Sequence, residues 1–122
     1  MEIEIKSGIV RRVSGADAPM SGLAIQARTI ANFLPLFVRR VGADIVHDVD
    51  SNYTGIRINT KRGPVVLEMP SGDAPYRLVH QLPEPKKDGR TELEMRRFPQ
   101  IYKPQGVAHI LGQFLQSRGF LS

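Results

Sequence analysis

The sequence predicts an α+β fold, an antiparallel sheet of about five to six strands with two amphipathic helices packed on one face. Three observations carry that expectation. Between residues 44 and 98, five short segments alternate in polarity and are separated by turn-forming residues. Two other stretches, 23–41 and 106–118, repeat apolar residues every three or four positions, which is helical spacing. The order is strand, helix, a run of strands, helix, and runs of like elements favour α+β over a parallel α/β design. At 122 residues and 41% hydrophobic, the chain reads as a single α+β domain over 1–122.

Residues 2–13 read as a strand because Ile3, Ile5, Ile9 and Val13 share one parity and Glu2, Glu4, Lys6 and Arg12 the other. Ser14 to Gly22 is rich in Gly, Ala, Asp, Pro and Ser, and reads as a loop. In 23–41 the stripe is Leu23, Ala27, Ile30, Leu34, Phe37, Val38 and Val41, with Ser21 as N-cap and Gly42 as the C-terminal stop. Pro35 lacks a backbone donor and clashes with the preceding turn, so this helix must kink or split there. The expected sheet strands are Asp44–Asp50, Gly55–Thr60, Pro64–Met69, Tyr76–Leu82 and Thr91–Phe98. The loop from Pro83 to Arg90 is long, charged and stiffened by prolines. The last helix, Gly106 to Arg118, carries Val107, Ile110, Leu111, Phe114 and Leu115 on one stripe, preceded by Pro104 and ended by Gly119.

Several chemistries are excluded by composition. There is no cysteine, hence no disulfide, thiolate metal site or cysteine nucleophile. Glycine-rich dinucleotide, P-loop and nucleophile-elbow motifs are all absent, and no cofactor is expected. The run His47-Asp48-Val49-Asp50-Ser51-Asn52 has the residue types of a metal site. An EF-hand loop from Asp48 would need Gly at Tyr53 and Glu at Asn59, and it has neither. On a strand Asp48 and Asp50 share a face while His47 points away, which argues against one shared ion. No metal is therefore expected, and a small enzyme using Asp48, Asp50 and a histidine is the third-ranked reading. His80 alternates with Tyr76, Leu78 and Leu82, so it is expected to be half-buried and hydrogen-bonded. His109 borders the stripe of the last helix. The window 23–41 is interrupted by Arg28, Asn32, Pro35, Arg39 and Arg40 and cannot span a bilayer. The N-terminus lacks the pattern of an export signal, so no membrane association and a cytoplasmic location are expected.

Charge points to a surface. The chain has 17 Lys+Arg against 12 Asp+Glu, a formal net charge of +5. Residues 1–50 hold six basic and six acidic residues, so the whole excess lies in the second part. There the cations cluster at turns: Lys61 and Arg62 in one hairpin, Lys86, Lys87 and Arg90 in the long loop. Arg96, Arg97 and Lys103 flank Phe98 and Tyr102. Phosphates attract cations, and unstacked bases need flat π-surfaces. The leading expectation is a small non-enzymatic accessory protein that binds nucleic acid, single strands favoured, or a nucleic-acid complex. Its contacts would be Lys61, Arg62, Lys86, Lys87, Arg90, Arg96, Arg97, Tyr102 and Lys103. The rival is a protein-interaction module, an assembly subunit or an enzyme inhibitor, whose basic turns meet an acidic protein surface. For each cluster alone a plainer reading competes, in which basic turns keep sheet edges soluble and the two aromatic rings pack.

Overall fold

The computed structural model describes residues 10–13, 22–48, 53–70 and 72–121, and for 10–13, 47, 48 and 53 the backbone alone. Its elements in chain order are β1 (Val10–Val13), α1 (Gly22–Asn32), α2 (Leu36–Arg39), β2 (Ala43–Asp48), β3 (Tyr53–Thr60), β4 (Gly63–Pro70), β5 (Tyr76–Gln81), β6 (Glu92–Phe98) and α3 (Pro104–Ser117). The class is α+β, and the five strands between residues 43 and 98 fall close to their expected bounds. The first half of the expected strand 2–13, the loop 14–21 with its N-cap Ser21, and the side chains of His47, Asp48 and Asp50 lie outside the described residues. Gly22, expected in the loop, opens α1.

The six strands stand in sequence order, β1 to β6. From β2 onward every pairing is antiparallel, but β1 runs parallel to β2. The reason lies in the connection. Parallel neighbours need a crossover of a dozen or more residues, and α1 and α2 supply it. The helical stretch divides as its proline requires. α1 ends at Asn32, and Pro35, extended at ψ 154°, precedes the single turn of α2. The Phe33 and Leu34 amides close the break by donating to Ile30 O and Ala31 O.

Register sorts the side chains onto two faces, because residues directly opposite in an antiparallel pair share one. Ile45, Ile56, Leu67 and Leu78 form one row across β2 to β5, and Ala43, Ile58, Val65 and His80 the next. These residues join Ala27, Ile30, Ala31 and Leu34 of the first helical stretch and Val107, Ala108, Leu111 and Leu115 of α3 in a single buried cluster. His80 is the exception: it is buried, but it lies outside that apolar cluster.

The opposite face carries Arg57, Glu68, Arg77, Glu92, Glu94 and Arg97 around the buried opposed pair Val66 and Val79. Arg77 stands opposite both Glu68 and Arg97. The like-charged pair is offset by carboxylates: Arg77 meets Glu68 at 2.6 Å and Glu94 at 3.6 Å, and Arg97 meets Glu94 at 2.8 Å. A bulge makes this possible. Leu78 faces Arg96 while Val79 faces Glu94, leaving Met95 as the extra residue of β6. Without it, Glu94 and Arg97, three apart, would point to opposite faces.

α3 seats closely against the proline elbow. A methyl group at Gly112 would stand 2.8 Å from Pro35 Cγ and 3.0 Å from Cδ, too close for a rigid ring to yield. Gly106, in the same helix, has open space where its Cβ would be. Helix propensity favours alanine at both positions by up to about 1 kcal/mol. Thermal unfolding should separate them: Gly106→Ala raises the melting temperature, whereas Gly112→Ala lowers it, at a cost on the order of 1–3 kcal/mol from overpacking.

Candidate functional site

The direction of each element decides which basic residues meet. β3, β4, β5 and β6 alternate in direction, so the β3–β4 turn at Lys61–Arg62 and the β5–β6 loop at 82–91 leave the same end of the sheet. The loop is held by its own backbone. The Leu82 amide donates to Thr91 O, the Lys86 amide to Arg90 O and the Gly89 amide to Lys86 O. Lys86 and Lys87 ride on the tip, and Arg90 pairs with Asp88 at 2.6 Å. The Asp88 carboxyl lies below the usual aspartate range because the Arg90 amide hydrogen-bonds it and the Arg90 charge stands beside it. A broad hollow of about 500 Å³ at this tip is lined by the consecutive residues Pro85 to Asp88 and is the concavity of the turn itself.

α3 begins at the other end and runs towards this one. Its C-terminus is a Schellman motif: the Phe120 amide donates to Leu115 O at 3.0 Å and the Gly119 amide to Gln116 O at 3.2 Å. Gly119 takes φ +75°, the left-handed conformation the motif needs and one that costs a residue with a Cβ. The turn delivers Phe120, almost fully buried, beside His80, with ring centroids 4.9 Å apart and planes at 89°. His80 is buried and its Nε2–H donates to Arg62 O at 2.7 Å. Its expected hydrogen-bonded role is present.

Three arginines lie over phenyl rings here. Arg62 lies 4.6 Å over Phe120 and donates through Nη1 to Arg118 O at 3.0 Å. Arg118 lies 4.8 Å over Phe114. Arg96 points to the core side, 5.2 Å from Phe98 and 5.9 Å from Phe114, with its Nε buried and without a hydrogen-bond partner. No carboxylate pairs with any of the three among the described residues, nor with Lys61, Lys86 or Lys87. Arg62, Arg118, Leu93, Met95, Phe114 and Phe120 are the main lining of a cleft of about 260 Å³, with His80 and Glu94 completing it.

Of the expected contact residues, the structure thus gathers Lys61, Arg62, Lys86, Lys87 and Arg90 at one end, with Arg96 beneath the cleft. It separates the others. Arg97 is tied to Glu94 on the charged face. Tyr102 and Lys103 lie just before α3, at the opposite end, where Gln100 Nε2 donates to Gly72 O and Ala74 O. The 14 residues of α3 span about 21 Å between them and the cleft. Phe98 is fully buried, so its ring faces belong to the core. Sequence reasoning missed Arg118 and Phe120. Their signal was Gly119 followed by an apolar residue, which marks a Schellman turn.

Among the described residues, no group of three or more His, Asp or Glu is placed to hold a metal ion, and no helix is long and apolar enough to cross a membrane. Comparisons of the chain with protein-family models, curated proteins and solved structures find no match.

The charged face yields a pH test. Hydrogen bonds from Arg97, with the nearby Arg97 and Arg77 charges, hold the Glu94 carboxyl below its usual range. A carboxyl with a depressed folded pKa contributes stability that is complete above its unfolded value, about 4.3. That contribution is lost as pH falls through the folded pKa. Glu94→Gln should therefore show a smaller drop in melting temperature than wild type between about pH 5 and pH 3.

Proposed function

We propose that this chain is a small accessory protein that binds nucleic acid, single strands in preference to duplex, through the basic end of its sheet. The observation that carries the reading is that three segments share that end: the Lys61–Arg62 turn, the Arg118–Phe120 turn bonded to it after α3, and the Lys86–Arg90 loop that leaves the sheet on the same side. Six cations stand there against the loop acids Glu84 and Asp88 and the cleft-lining Glu94, whose carboxylate is held by Arg97. Arg90 pairs with Asp88, but the other five have no carboxylate partner among the described residues and are available to a phosphate backbone. Arginines already held over phenyl rings bind at little further loss of side-chain entropy. A cytoplasmic location accords with this role. The reading does not draw on Arg97, Tyr102 or Lys103.

The test is binding of single-stranded homopolymers at several salt concentrations. Each phosphate contact releases counterions, so affinity should fall steeply with salt, and the logarithmic slope should shrink by about 0.7 for each contact removed. Lys86→Glu with Lys87→Glu should weaken all homopolymers by one common factor, since phosphate contacts carry no base information. Tyr102→Ala should leave binding unchanged. A wild type that binds no nucleic acid at low salt would overturn the proposal, and an acidic protein surface would then be the partner that these cations fit.

A further inference from the structure

The cleft between β6 and the end of α3 combines two chemistries that one simple ligand seldom needs together. Leu93, Met95, Phe114 and Phe120 make it apolar, while Arg62 and Arg118 stand over it with no carboxylate partner among the described residues. A bare anion would gain nothing from the apolar lining. A purely apolar ligand would have to desolvate two guanidinium groups without compensating them. A nucleotide within a strand satisfies both, with a flat base of apolar faces joined to a phosphate. Size agrees, since about 260 Å³ falls just below the ~300 Å³ at which sites for drug-sized ligands begin. That is room for one ring system and not for a segment of chain.

The cations are also held in place. The Arg62 and Arg118 guanidinium carbons lie over phenyl rings, 4.6 and 4.8 Å from the centroids, and Arg62 is tethered by its hydrogen bond to Arg118 O. An unstacked base can lie on a guanidinium plane as on an aromatic ring. Glu94, the acid that lines the cleft, has its carboxylate engaged by Arg97 and forms no ion pair with Arg62 or Arg118. We propose that the cleft takes one unstacked base of the bound strand. This rests on the reading of the basic end given above and adds to it the origin of the single-strand preference, because a paired and stacked base cannot enter.

The experiment compares two strands of equal charge, an oligothymidylate of about ten nucleotides, within the site size of small single-strand binders, and an abasic phosphodiester strand of the same length. One base stacked in the cleft should make the thymidylate bind about tenfold more tightly to wild type. Leu93 lies on the rim, 37% exposed, and Leu93→Glu sets a carboxylate in the lining shared with Arg62 and Arg118 without adding a stacking surface. In that variant both strands lose the same charge attraction, and the ratio should fall to about one. Arg118→Gln, which removes one guanidinium and leaves β6 untouched, should also shrink it and serves if the Leu93 variant does not fold. A ratio near one in wild type, or a ratio unchanged in the variants, overturns the base pocket while leaving strand binding by the basic end standing. Failure of wild type to bind either strand overturns both.

Discussion

The absence of a side chain at Gly112 lets α3 lie against the ring of Pro35, and the position of Arg118 and Phe120 at the basic end follows from that contact. Pro35 is fixed in turn by the break it imposes between α1 and α2. A helix held at this point, with Val107, Leu111 and Leu115 in the shared core, ends where the β3–β4 turn begins. Had α3 been pushed outward, Phe120 could not meet His80, and Arg62 would lose both its ring and its carbonyl acceptor. Core packing and surface chemistry are therefore coupled through one close approach.

The two faces of the sheet divide the charge between them. On the face away from the core, Glu68, Arg77, Glu92, Glu94 and Arg97 satisfy one another across strands. Pairs this exposed contribute little individually, but they offset one another's charge on that part of the face. At the basic end, by contrast, Lys61, Arg62, Lys86, Lys87 and Arg118 have no carboxylate partner among the described residues. Arg96 adds a second effect. An inward-pointing charge and a bulge on the edge strand β6 both discourage another chain from pairing there.

Much of this architecture was legible in the residues. Alternation located five strands within a few residues, Pro35 announced the break, and Gly119 the end of α3. The parallel pairing of β1 was not legible, because hydrophobic parity is the same for either direction and only the intervening helices decide it. The bulge at Met95 was equally hidden. A period of two places Glu94 with Arg96, whereas the structure places it with Arg97. For the site, composition identified the Lys61–Arg62 and Lys86–Arg90 clusters, and antiparallel topology brings them to one end. Proximity in sequence misled for Tyr102 and Lys103, which lie near Arg96 and Arg97 in the chain but a helix length from the cleft. It also concealed Arg118 and Phe120, which meet residues some forty to sixty positions away.

The account stands on the claim that one end of the sheet is the working surface, and mapping backbone amide shifts by NMR while a single-stranded oligonucleotide is titrated at low salt tests it most directly. Shifts should be confined to the Lys61–Arg62 turn, the Lys86–Arg90 loop, Leu93–Met95 and Arg118–Phe120, with Tyr102, Lys103, Glu68, Arg77 and Arg97 unmoved. Shifts centred on Tyr102 and Lys103, or spread over Glu68, Arg77 and Arg97, would contradict it.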